Sequence, residues 1–153
     1  MSSNDERVVS VEREIAADAA TLFELIADPA RQPEWDGNDN LSEAAPGQRV
    51  SAVGDVFVMQ NVGGKTRENH VVEFVEGRRI AWKPSPVGGA QPGHLWRWEL
   101  EPGRSGATLV RHTYDWSGLT DPSRHDRARS FTDEALLASV DRLAAVATDA
   151  ERG

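Results

Sequence analysis

Residues 94–116 read HLWRWELEPGRSGATLVRHTYDW, and their alternation decides the fold. Trp96, Trp98 and Leu100 fall on one side of an extended segment, with Arg97 and Glu99 on the other. That period of two marks a half-buried strand. The turn Gly103-Arg104-Ser105-Gly106 separates this run from a second one, in which Val110, His112, Tyr114 and Trp116 share a face. A link this short joins antiparallel strands, because a parallel pair needs a crossover of about a dozen residues or more.

The same grammar extends towards the N-terminus. GDVFVMQN (54–61) reaches the turn VGGK (62–65), and TRENHVVEF (66–74) reads as its hairpin partner. EGRR (76–79) turns into RIAWKP (79–84), and the Pro/Gly-rich SPVGGAQPG (85–93) loops out. From about residue 38 to 117 the chain is therefore a meander of about five or six antiparallel strands.

The flanks differ. RVVSVEREI (7–15) places Val9, Val11 and Ile15 opposite Ser10, Glu12 and Glu14, as in a half-buried strand. In AADAATLFELIADPARQPEW (16–35), Asp18 is placed to cap a helix whose apolar stripe is Leu22, Phe23 and Ile26. Pro29 stops that helix after Asp28, and a second short helical turn reaches Trp35 before DGND turns the chain. At the other end, Asp121 reads as an N-cap with Pro122 in the first helical position. Leu136, Leu137, Val140, Leu143, Ala144 and Ala147 then form one helical face. Phe131 projects roughly opposite Val140, which leaves two readings: a kinked helix, or Phe131 packed on a neighbouring loop. The expected fold class is α+β, with a curved antiparallel sheet, two short helices after the first strand, and a long amphipathic helix covering the concave face.

Composition bounds the function. A chain of 153 residues with 39% hydrophobic and 27% charged residues reads as one soluble globular domain over 1–153, its ordered core at about 8–148 and its ends frayed. The net charge of −8 opposes binding to nucleic acid or an anionic membrane. The densest basic cluster, Arg124, Arg127 and Arg129, reads as a solvated helix face. Without cysteine there is no disulfide, thiolate metal site or cysteine nucleophile. MSSNDERVVS lacks the pattern of a secretory signal, and no apolar run has the length of a membrane span. A cytoplasmic protein without stable membrane insertion is expected. The oligomeric state stays open, a homodimer included.

Ile15–Pro29 (IAADAATLFELIADP), Trp35, VVEFVEGRRIAW (71–82), WRWELEP (96–102) and GATLVRHTYDW (106–116) together resemble the START-like, or SRPBCC, superfamily in its polyketide cyclase/dehydrase branch. The likeness covers about residues 8 to 148 and implies the helix-grip (Bet v 1-like) fold. It further implies a hydrophobic ligand held between sheet and long helix, with activities ranging from aromatic ring closure to lipid carriage. Fold alone does not choose among these.

On that reading the inward faces carry Phe57 and Met59, Ile80 and Trp82, Trp96 and Trp98, and His112, Tyr114 and Trp116. Rings with a few polar groups suit a small-molecule pocket, so Phe57, Met59, His70, Trp82, Trp96, Trp98, Trp116 and Phe131 are the expected ligand contacts. Trp35 reads as a plug against the sheet end. His112 and Tyr114, two apart on one face, could supply a base and an oxyanion donor for ring closure. Glu68 and His70 share a side with Val72 and Phe74, but a bulge would reverse that strand and turn Asn69 inward. His70, His94, His112 and His125 lie on separate elements without metal-ligand spacing, and G-x-S-x-G, phosphate-loop and dinucleotide signatures are missing. No metal or cofactor is expected.

Three functions follow in order. The first is a binding or transport module for a small hydrophobic molecule, entered between SPVGGAQPG and the start of the last helix. The second is a cofactor-independent cyclase/dehydrase using His112 and Tyr114. The third is a regulator resembling the co-chaperone activators or ubiquinone-binding chaperones of the superfamily.

Overall fold

The computed structural model describes residues 7–152. Among these, seven strands form one antiparallel sheet: β1 (Val8–Ile15), β2 (Leu41–Glu43), β3 (Val56–Asn61), β4 (Thr66–Val75), β5 (Arg79–Pro86), β6 (Leu95–Pro102) and β7 (Thr108–Asp115). Their order is β1-β7-β6-β5-β4-β3-β2, so the first two strands in sequence occupy opposite edges. The chain between them, α1 (Ala19–Ala27) and a 3-10 turn (Pro29–Glu34), crosses from one edge to the other. After β7 come a 3-10 turn (Pro122–Arg124), α2 (His125–Arg129) and α3 (Asp133–Arg152). This is the helix-grip architecture expected from the sequence.

Register sets the inward face. Trp98 pairs with Ile80 on one side and His112 on the other, and Trp96 lies between Trp82 and Tyr114. The outward face is tied by charge. Glu73 and Arg97 are both cross-strand neighbours of Ala81, and their bidentate ion pair (2.6 and 2.9 Å) spans that small side chain. The Arg97 guanidinium in turn holds the Glu73 carboxyl below its ordinary pKa.

β4 carries the bulge that decides its own facing. Its register with β5 shifts between Val71 and Glu73. Before the shift, Asn69 and Val71 are buried and His70 turns outward; after it, Phe74 packs into the core. The grouping of Glu68 and His70 with Phe74 on one face is therefore corrected, because the extra residue at the bulge reverses the alternation.

α1 buries Leu22, Phe23 and Ile26, as its stripe predicts. Asp18 occupies the N-cap position with extended backbone but makes no capping hydrogen bond from its side chain. The C-terminal end is held by side chains: Gln32 Nε2 donates to the Ile26 carbonyl (3.0 Å) and Trp35 Nε1 to the Leu25 carbonyl (2.9 Å). These carbonyls belong to the last turn, where no intrahelical donor remains. Trp35 is thus the plug its position suggested, set edge-on against Trp98 at 5.1 Å.

The last helix is not continuous. α2 ends at Arg129 and α3 starts at Asp133, with Phe131 in the break. This resolves Phe131's odd phase: it belongs to the joint rather than to the helical stripe. Leu136, Val140, Leu143, Ala144 and Ala147 are buried, but Leu137 is 38% exposed and leaves the predicted face. α3 packs on β1, β7 and α1, which leaves the β3–β5 side of the concave face to other elements. No helix among the described residues is long and apolar enough to cross a membrane.

Candidate functional site

Between the concave face, the 3-10 turn before β2 and the α2–α3 joint lies a cavity of about 580 Å³. That volume falls in the range of small-molecule sites, roughly 300–1,000 Å³. Of the expected contacts, Met59, Trp82, Trp96, Trp98 and Phe131 line it, together with the pair His112 and Tyr114.

Three expected contacts lie elsewhere. Phe57 is buried beside the cavity, edge-on to Trp82 at 5.3 Å, and serves as core. His70 sits on the outer face, with Nε2 2.9 Å from Ser85 Oγ, because the β4 bulge places Asn69 inward instead. Trp116 is buried in a separate cluster with Leu119, Ala128 and Leu136, and the guanidiniums of Arg7 and Arg129 lie over its ring at 4.7 and 5.4 Å.

The rings form one connected wall. Trp96 is 4.3 Å from Tyr114 and 5.1 Å from Phe131, centroid to centroid, and His112 stacks on Trp98 at 3.7 Å with a 17° tilt. The Trp96–Phe131 contact has the edge-to-face geometry favoured by aromatic pairs, and the other two are tighter.

Two polar groups of this wall have defined protonation states. His112 Nδ1 is 3.2 Å from the Arg97 carbonyl. A carbonyl only accepts, so Nδ1 carries the proton and Nε2 keeps its lone pair. Burial pushes the His112 pKa down to about 3, outweighing the opposing carbonyl bond, so the ring is neutral at physiological pH. Burial also raises the Tyr114 pKa, opposed by the charge of Arg127, so the phenol stays protonated. The third group is Trp98. Its indole N–H is buried and finds no acceptor among the described residues. A buried donor left in this state costs about 1–3 kcal/mol.

Sequence reasoning missed part of the wall. His94, spread apart from His112 in sequence, shares the cavity with it. Its position depends on Gly93, whose φ is 120° and where a Cβ would come within 2.1 Å of the Gly118 carbonyl oxygen. The loops before β6 and after β7 cross there, which only a missing side chain permits. Arg124 and Arg127 also line the cavity, while Arg127 stays exposed and Arg124 partly exposed, in keeping with the solvated face expected of them. The start of the last helical region does border the opening as expected. Of the loop from Ser85 to Gly93, Ser85 is buried and Val87 to Gln91 are exposed away from the lining.

Comparison with known proteins agrees with this geometry. The profile of the family described as polyketide cyclase/dehydrase and lipid transport matches residues 6–148. The chain belongs to that family. Rv0088 of Mycobacterium tuberculosis, described as uncharacterized, is 34% identical over 110 residues, covering 71% of this chain and 47% of its own. The chain thus spans about half the length of the curated relatives it matches. Among solved structures, NE0264 of Nitrosomonas europaea superposes with a TM-score of 0.69 at 16% identity, covering all of both chains. XoxI of Bacillus cereus does so with a TM-score of 0.67 at 15% identity, covering 94% of this chain and 97% of its own. Likeness at such identity establishes a shared fold.

Proposed function

We propose that the protein binds a small ring-bearing hydrophobic molecule in this cavity, as a carrier or binding module. The observation that carries the reading is the ring wall itself: Trp82, Trp96, Trp98, Tyr114 and Phe131 face a space that no side chain fills. A core would bring these rings into contact with the covering helix; here α3 lies over β1 and β7 instead. The states of His112 and Tyr114 support binding over turnover. A general acid–base pair works best with pKa values near the working pH, and burial moves both groups away from it. At neutral pH they offer one lone pair and one hydroxyl, suited to hold polar atoms of a ligand.

The second reading, cyclase/dehydrase chemistry through His112 and Tyr114, draws on their place together on the wall and on the family's description. It requires turnover that is lost in His112→Gln and Tyr114→Phe while binding persists.

The test is native mass spectrometry of freshly purified protein with identification of any extracted molecule, alongside Trp fluorescence during titration with polycyclic aromatics. Bound ring compounds or saturable quenching support the reading. Empty protein and unchanged fluorescence across the panel would return the tryptophans to the role of core.

A further inference from the structure

The cavity changes chemistry with depth. Its floor, with Met59, Trp98 and His112, is fully buried. Its lining also holds four cations, Lys65, Arg67, Arg124 and Arg127, against two carboxylates, Asp36 and Asp121. The wall is therefore net positive by two within a chain of net charge −8. Both carboxylates are already engaged. Asp36 accepts backbone N–H bonds from Asn38, Asn40 and Leu41 at 3.0, 2.8 and 2.8 Å. Asp121 accepts from the Ser123 backbone and hydroxyl at 3.0 and 2.8 Å, and Arg124 Nε approaches it only to 3.9 Å.

The arginines are less well served. Arg67 Nη1 donates to the adjacent Thr66 carbonyl at 3.1 Å, and Arg127 Nη2 to the Asn40 side chain at 3.0 Å. Neither is ion-paired among the described residues. Arg67, Arg124 and Arg127 come from β4, the turn before α2, and α2, yet they line one cavity with His94. Burial first, and then the charges of Arg124, Arg67 and Arg127, push the pKa of that imidazole down to about 4. Its Nδ1 is buried and unpartnered among the described residues, as is the Trp98 N–H below. Arg67 and Arg127 bring like charges into one lining without an ion-pair partner among the described residues, and an anion seated beside them offsets that repulsion. Guanidinium groups also offer planar forks matched to a carboxylate.

We propose that the ligand is an aromatic acid, with its rings between Trp82, Trp96 and Phe131, its anionic group among Arg67, Arg124 and Arg127, and an oxygen acceptor for the Trp98 N–H. This rests on the cavity reading above and adds the ligand's charge and orientation.

The test uses the full chain and two probes that differ only at the headgroup, anthracene-2-carboxylate and anthracene-2-carboxamide, titrated calorimetrically. The acid should bind at least about tenfold tighter than the amide, the scale of a charge-assisted contact. Added sodium chloride should narrow that ratio in the wild-type protein, independently of any substitution. Arg67→Gln and Arg124→Gln, which keep amide donors and remove charge, should each narrow it further and together bring it close to one. Circular dichroism checks that these variants fold. Equal binding of acid and amide to the wild type overturns the proposal and leaves the cavity reading standing. Binding of neither probe, with Trp fluorescence unmoved by the aromatic panel, overturns both.

Discussion

The two ends of the concave face are built from the same alternating strands and reach opposite outcomes. At one end, Phe23, Ile26, Ile80, Leu100, Val110 and Leu143 close into a continuous buried cluster. At the other, Trp82, Trp96, Tyr114 and Phe131 surround open space. The strands do not make this difference, since both ends present large inward side chains. The cover makes it. α1 and the C-terminal turns of α3 bring Leu22, Phe23, Leu143 and Ala147 down onto the sheet, whereas α2 and the turn before it bring Ala128, Arg127 and Arg124. A break of a few residues between α2 and α3 thus separates a core from a cavity, and Trp96 packs against the apolar clusters of both ends.

The sharpest way to break this comparison is to remove one ring from each end. Phe23 is fully buried and edge-on to Phe74 at 5.7 Å. Phe23→Ala should cost about 3–5 kcal/mol of stability by urea unfolding, the range for large rings in packed cores. Phe131 is half-buried and already borders open space, so Phe131→Ala should cost far less stability and weaken binding of aromatic probes instead. Equal stability losses from both would mean that the far end is also packed in solution.

A smaller effect tests the cavity end through pH. The His112 and His94 pKa values fall on folding to about 3 and about 4, from an ordinary value of ~6.5. Between those limits the unfolded chain binds protons that the folded one does not, so stability increases with pH and is lost as pH falls from 6.5. Each such group contributes a slope of about 1.4 kcal/mol per pH unit inside its window. Carboxylates held low by partners, such as Glu73, act below their ordinary pKa of 4.5, under the pH range measured next. Urea midpoints measured between pH 4.5 and 7 should therefore fall on acidification, and His112→Gln should flatten the trend. An unchanged slope in that variant would place the proton uptake elsewhere.

Most of the fold was legible because alternation, turns and prolines act locally. The meander and the inward tryptophans follow from spacing in stretches such as RIAWKP and HLWRWEL, and the stop of α1 from Pro29. Facing failed where one residue changes the count: the bulge of β4 exchanged His70 for Asn69, and nothing in TRENHVVEF marks it. The cavity's rim was illegible for a different reason. Arg67, Arg124, Arg127 and His94 come to line one cavity only through the helix joint and the Gly93–Gly118 crossing, and a polar residue on a short helix looks the same whether it faces solvent or a cavity. Phe131 carried the one usable signal, since its wrong phase already indicated that the helical stripe could not run through it.

The smallest expected change in stability is also the one that separates the two ends within a single residue. Trp98 belongs to the packed cluster and also lines the cavity, and its buried N–H has no acceptor among the described residues. Trp98→Phe removes buried ring surface, which destabilises, and removes an unsatisfied donor, which stabilises by about 1–3 kcal/mol. The two terms oppose, so the net change should stay within about 1 kcal/mol, well below the usual cost of shrinking a core tryptophan. Binding should not share this cancellation. Anthraquinone, whose carbonyl can accept from the indole, should lose affinity relative to anthracene in the variant, because the remaining ring offers no donor. A loss of several kcal/mol in stability would mean that the N–H is satisfied within the folded protein and is not available to a ligand.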